Sequence, residues 1–501
     1  MPKNMVLSPG PLTVETAEAL LAWDVTLDLA EESWEAVARC RAFLDERNHP
    51  DAPAMYGINT GFGALCHTRV SAEALGELQE NLVKSHACGT GEALAPEMVR
   101  AMLLLKIKSL SHGYSGVSKE TLSYLLHFYN VGATPVIYEA GSLGASGDLA
   151  PLAHLSLPLL GLGEVDWQGK RWTGEAFLAH HHLKPLALKS KEGLALLNGT
   201  QFMGGLSLII LIRGKRLLDW ANLISALSLE AYDGLIEPFH PAIGRLRPHA
   251  GQSAVAACMR QWLEKSPGQQ KAKPWVQDPY SFRCIPQVHG ASADALQYAM
   301  DVLETEMSSV TDNPLVIPEE DLVLSGGNFH GQPLALMLDF LAIALAELGS
   351  ISERRIYRLV DGQRGLPPFL TPTAGLHSGF MILQYAAASL VNRNKQRCMP
   401  HSVDTIDSSR GQEDHVSMGA NAAVKTLAVL EDAERLLAME LLTAAQAFSF
   451  RRPQTTSPEL ESLLAEFQKD HPFQSHDVVM QPLMASALQF LHTRHPKTWW
   501  P

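Results

Sequence analysis

LSLIILIRGKRLLDWANLISALSLEAY, residues Leu206 to Tyr232, contains no proline and sets Leu206, Ile210, Leu217, Trp220, Ile224 and Leu227 at helical intervals. Such spacing predicts a helix whose apolar side must be covered. The same pattern continues downstream. Leu296, Met300, Leu303, Met307 and Val310 share one helix face, and Leu334–Leu359, Ser378–Arg397 and Gly419–Phe448 are long, apolar and free of proline. The last of these is rich in alanine and leucine, the best helix formers. Several long helices must hide their apolar faces against one another, so the fold is read as mainly α, with a long-helix bundle over residues 201–501. Some segments are apolar nearly all round, which predicts burial inside an oligomer. No internal repeat is visible.

Residues 1–200 read differently. Glycine and proline interrupt YGINTGFGAL, ACGTGEALAP, ATPVIYEAGSLGASG and LPLLGLGEVDWQG, which predicts a loop-rich N-terminal domain that holds the chemistry. A boundary is expected near residue 200.

The 501 residues are 46% hydrophobic, enough for a large core, and the formal charge is −13. That balance argues against nucleic acid or an anionic membrane as the main partner. The first twenty residues lack the basic-then-apolar order of a secretory signal. LALMLDFLAIALAEL, from Leu334, carries Asp339 and Glu347; it reads as a buried helix and is short for a membrane span. Cys40, Cys66, Cys88, Cys258, Cys284 and Cys398 form no CxxC pair, the pattern of reduced thiols in a cytoplasmic protein.

GSLGASGDLAPLAH, residues Gly141 to His154, crowds small residues just ahead of an apolar helix pattern. Within it, Ala145-Ser146-Gly147 can react with itself. Attack of the Gly147 nitrogen on the Ala145 carbonyl carbon closes a five-membered ring, and loss of water gives an imidazolone. Loss of the Ser146 hydroxyl as a second water leaves an exocyclic methylene, an electrophile that no side chain supplies. Glycine gives an unhindered nitrogen and tolerates unusual dihedrals; serine gives the leaving hydroxyl; alanine keeps the approach clear. By itself such a tripeptide is usually a turn.

Its surroundings carry more. GASGDLAPLAHLSLPLLG, MYGINTGFGAL, KEGLALLNGTQ, QDPYSFRCIPQV, TDNPLV, SGGNFHGQP and GQEDHVSMG resemble, from about residue 5 to residue 485, the motifs of the aromatic amino acid lyases. The resemblance implies a methylidene-imidazolone formed from Ala145, Ser146 and Gly147, with no external cofactor and no catalytic metal. It implies a fumarase/aspartase-like helical fold and a homotetramer in which neighbouring subunits complete each site. It also implies roles. Tyr56 is the acid–base tyrosine, Arg283 holds the substrate carboxylate with its planar fork, and Tyr280 contributes beside it if that segment is helical. Gln277 and Asn198 lie by the substrate and the cofactor carbonyl, and Phe329 packs near the cofactor.

His86 and Glu413 carry the substrate reading. A carboxylate can accept an imidazole N–H while a histidine pairs with the other ring nitrogen. Phenylalanine lyases place apolar residues at the position of His86, and tyrosine lyases read NQD where this chain has Gln412-Glu413-Asp414. The expectation is therefore elimination of ammonia from L-histidine to give urocanate, with Tyr56 or Glu413 as the base. Tyrosine lyase or aminomutase chemistry is the nearest alternative, and an inactive helical scaffold a more distant one. Two departures from the pattern are His377, where asparagine is expected, and His401, where a small residue is expected. His180-His181-His182 lacks metal-ligand spacing and reads as a surface loop.

Overall fold

The computed structural model describes residues 3–49, 52–65 and 67–500; Cys66 lies outside them. Helices dominate. Those that matter for the site and the core are α1 (Leu75–His86), then, after strands β1 (Thr90–Ala93) and β2 (Tyr138–Ala140), α2 (Leu149–Ser156), α3 (Gly174–His180) and α4 (Gln201–Tyr232). The single turn α5 (Tyr280–Arg283) precedes α6 (Ile285–Met307), α7 (Gln332–Val360), α8 (Met381–Arg397) and α9 (Gly419–Ser449). β1 and β2 pair antiparallel, Thr90 with Ala140 and Ala93 with Tyr138, with an irregularity between them. The other strands are also short.

The long helices fall where periodicity predicts them. In α4 the six apolar positions quoted above are all buried, but so are Leu208, Leu211, Leu223 and Leu229: the helix is enclosed on nearly every side rather than on one. α6 stops at Met307, so Val310 lies beyond the helix it was assigned to. α7 is 29 residues long, longer than the apolar run suggested, and is apolar enough to cross a membrane; 67% of its most apolar window is nevertheless buried within the protein.

The chain divides into two compact units, but not at one sequence position. The first comprises residues 1–212, 299–339 and 400–424; the second comprises 213–298, 340–399 and 425–501. The first crossing falls after Ile212. The later returns are invisible to composition because they fall inside or beside long helices whose sequence character does not change.

In the first unit α1 packs on α2 and on the short helix Glu192–Leu197, which brings the end of α1 beside the segment that enters α2. In the second unit Arg355 and Glu440 are fully buried and paired, Nε to Oε1 at 2.5 Å, with Ser228 Oγ donating to the same carboxylate at 2.6 Å. Burying both charges is tolerable only because each satisfies the other.

His180-His181-His182 is not a free surface loop. His180 ends α3, and the His181 ring packs tilted against Phe177, 4.4 Å away, and edge-on to Trp167 and His127, each 4.8 Å away, measured between ring centroids. An aromatic cluster takes up His181 and one side of His180, while His180 and His182 remain exposed, and no local spacing announced it.

Candidate active site

The loop entering α2 is held in a shape that most residues resist. Gly144 and Gly147 have φ of +86° and +78°, and Ser146, which has a Cβ, has φ +53°. A non-glycine residue there is strained and persists only when its neighbours hold it. Those neighbours are identifiable. A Cβ on Gly147 would run into the backbone of Gly199, and one on Gly144 into the Ser417 hydroxyl. Asp148 N–H donates to Gly199 O at 2.7 Å, and Met418 N–H donates to Leu143 O at 3.0 Å. Asn198 Nδ2 donates to Ser146 O at 2.6 Å.

Beneath the loop the buried Asp148 carboxylate accepts from the Phe202 and Met203 N–H groups at 3.0 and 2.9 Å, so it caps the first turn of α4. Burial pushes its carboxyl up to about 7 and brings the ammonium of fully buried Lys106 down to about 7. Lys106 Nζ donates to Asn198 O at 2.8 Å, fixing the turn that carries the Asn198 amide. Asp148 and Lys106 were not singled out in the sequence; each acts through a partner more than fifty residues away.

Above the loop lies a cavity of about 530 Å³, bordered by Tyr56, Phe62, Leu82, His86, Ser146 and Glu413 among others. A second pocket of about 270 Å³ shares His86 and Glu413 and adds Ala145 and Gly147. The expected tripeptide, tyrosine, histidine and glutamate therefore converge. Tyr56 is half-buried, its oxygen accepting from Gly63 N–H at 3.3 Å. Glu413 accepts from Ser146 Oγ at 3.1 Å and from Ser409 Oγ at 2.6 Å. Ser409 was missed; it lies four residues before Glu413 with φ +49°, and only the turned-back chain brings its hydroxyl round.

His86 ends α1. Its Nδ1 lies 2.8 Å from Leu82 O. A carbonyl only accepts, so Nδ1 carries the proton. Burial lowers the basicity of the ring, opposed more weakly by the Leu82 carbonyl and by Glu413. The neutral ring thus has Nε2 as an acceptor.

Six expected residues do not line these cavities: Asn198, which is buried beneath the loop, and Gln277, Tyr280, Arg283, Phe329 and Gln412. Gln277 and Gln412 are exposed, and Tyr280 is 69% exposed. The helical turn α5 does form and puts Tyr280 and Arg283 together, the guanidinium carbon 4.6 Å from the ring centroid. Arg283 Nε donates to Asp278 O at 3.1 Å. Among the described residues Arg283 has no ion pair, so a surface salt bridge does not account for it. Glu413 and Asp414 precede α9 by several residues and are not its first turn. His377 and His401 line neither cavity; His377 Nδ1 instead accepts from Asp477 N–H at 3.3 Å.

A family model for aromatic amino acid lyases matches residues 12–469. The chain belongs to the aromatic amino acid lyase family. It is an enzyme, a carbon–nitrogen lyase, with the fumarase/aspartase-like helical fold. It is 48% identical to a histidine ammonia-lyase of Symbiobacterium thermophilum over 487 residues, covering 96% of this chain and 95% of that one. Among solved structures it resembles the histidine ammonia-lyase of Trypanosoma cruzi, with a TM-score of 0.92 at 38% identity over 99% of this chain and 96% of that one. It also resembles the tyrosine aminomutase of Streptomyces globisporus, with a TM-score of 0.92 at 35% identity, covering 98% and 97%.

Proposed function

We propose that this protein is a histidine ammonia-lyase, removing ammonia from L-histidine without oxidation to give trans-urocanate. The observation that carries the proposal is the pairing, on one cavity beside Ser146, of a Glu413 carboxylate with a neutral His86 whose Nε2 accepts. That wall suits a ring bearing N–H groups, and suits the apolar ring of phenylalanine poorly.

The residues present fit a methylidene-imidazolone made from Ala145, Ser146 and Gly147. Ser146 and Gly147 are held at positive φ, Asn198 Nδ2 is on the Ser146 carbonyl, and Asn198 Oδ1 is buried without a partner among the described residues. When formed, the group supplies an electrophilic carbon that activates the substrate for loss of ammonia. The chain does the rest. Asn198 steadies the carbonyl, and the Tyr56 hydroxyl, steadied by Gly63, is placed to move a proton. Glu413 and His86 hold the ring, and Glu413 is the second group able to take the β-proton. Arg283 clamps the carboxylate.

We further infer that the protein works as a homotetramer in which one subunit's Tyr280 and Arg283 complete another's cavity. The exposure of Tyr280, the absence of an ion pair at Arg283 among the described residues, and the exposed Leu336, Phe340 and Ile343 of α7 support this reading. The five described cysteines are free thiols, which supports a cytoplasmic setting.

The test varies the ring-reading wall. Glu413→Gln keeps the shape, removes the charge and leaves a substrate N–H poorly matched. An unpaired buried polar group costs about 1–3 kcal/mol, so kcat/KM for histidine should fall by about five- to 150-fold, with the loop's mass unchanged. His86→Phe should weaken histidine and favour phenylalanine relatively. Unchanged histidine turnover in Glu413→Gln would transfer the argument to tyrosine lyase or aminomutase chemistry.

A further inference from the structure

Gly89 is pressed between the two ends of the stretch that carries the reacting tripeptide. A Cβ on Gly89 would meet His154 Nε2 at 3.1 Å and Tyr138 Cβ at 3.3 Å, and a Cβ on Gly141 would meet Gly89 Cα at 3.0 Å. Gly89 N–H donates to His154 Nε2 at 2.9 Å. A main-chain N–H can only donate, so Nε2 accepts and the His154 proton sits on Nδ1. Burial lowers the basicity of this ring too, which keeps it neutral. The ring stands edge-on to Tyr138, with centroids 5.2 Å apart.

Gly89 follows His86 by three residues. Between them Cys88 N–H turns back onto His86 O at 2.9 Å. Beyond Gly89 the chain enters β1, whose pairing with β2 is irregular between Thr90 and Ala93. The ladder holds the chain at Thr90, opposite Ala140, and the acceptor projecting from α2 adds a direct hold on Gly89, one residue nearer His86. That acceptor lies on the same short helix that the Ala145–Gly147 loop enters.

We propose that His154 is a positioning residue: through Gly89 it holds the His86 end of the cavity in register with the Ala145–Gly147 loop. The proposal rests on the reading of His86 as a substrate-ring contact. It predicts that loss of the acceptor disturbs capture of the ring and leaves formation of the electrophile intact.

The test compares the full-length wild type, His154→Phe and His154→Gln with L-histidine, measuring kcat, KM and intact mass. His154→Phe keeps an aromatic ring against Tyr138 but cannot accept. Its KM should rise about tenfold, the scale of one lost hydrogen bond, with kcat within about threefold of wild type and the two-water mass deficit retained. In His154→Gln the side-chain oxygen reaches a similar place and accepts, so KM should return close to wild type. A purely packing role for the ring would instead be harmed more by glutamine than by phenylalanine. If the phenylalanine chain does not fold, His154→Leu makes the same comparison. Wild-type turnover of histidine tests the functional proposal independently. With that turnover present, an unchanged KM in His154→Phe, failure of glutamine to rescue, or loss of the mass deficit in either variant overturns the role assigned to His154.

Discussion

Replacing Ser146 with alanine is expected to lower turnover of L-histidine at least about a thousandfold, a barrier increase of about 4 kcal/mol. The size follows from what is lost. Alanine has no hydroxyl to leave, so no exocyclic methylene forms, and no other side chain supplies an electrophile of that kind. The fold should survive. Asn198 grips the main-chain carbonyl of residue 146, and the backbone bonds from Asp148 to Gly199 and from Met418 to Leu143 do not involve the hydroxyl. The contact that disappears is the one from Ser146 Oγ to Glu413. The checks are kcat, thermal stability and the mass of the peptide spanning residues 141–154. That peptide should be two water molecules light in wild type and of full mass in Ser146→Ala. A Ser146→Ala enzyme with wild-type kcat would remove the basis for a backbone-derived electrophile.

Arg283→Ala is expected to reduce kcat/KM by roughly thirtyfold or more, because truncating one partner of a buried charge pair costs about 2–5 kcal/mol. Arg283→Lys keeps the charge but loses the two-pronged geometry, so it should recover only part of the loss. The same residue tests the shared site. If Arg283 serves a neighbouring subunit's cavity, co-expressing Ser146→Ala and Arg283→Ala chains creates hybrid assemblies in which some sites hold an intact Ser146 and an intact Arg283. Activity above that of either variant alone is expected. No recovery in assemblies shown to be mixed would contradict sharing between subunits.

Much of this molecule was legible in its sequence, for reasons that differ by region. Leu206, Ile210, Leu217, Trp220, Ile224 and Leu227 announce α4 because a helix repeats every 3.6 residues and burial must follow that period. Ala145-Ser146-Gly147 is legible through the motifs that surround it, since the tripeptide alone reads as an ordinary turn; the positive φ of Ser146 and Gly147 appears only in the folded chain. Tyr280 and Arg283 are legible as a pair because three residues apart on a helical turn means one face. Asp148 capping α4, Lys106 under Asn198, Ser409 on Glu413 and His154 on Gly89 left no such mark. Each is an ordinary polar residue whose partner is brought by folding, not by local spacing. The three consecutive histidines were legible in part: His180 and His182 are exposed, as a surface run predicts, but His181 packs into an aromatic cluster that no local spacing announced.

The most direct measurement is kcat/KM of the wild-type protein for L-histidine, L-tyrosine and L-phenylalanine, with the ultraviolet spectrum followed throughout and ammonia assayed. Histidine should be preferred, ammonia released, and a conjugated product with the absorbance of urocanate should accumulate. Preference for tyrosine, or histidine left unchanged with neither ammonia nor a conjugated product, would contradict the assignment.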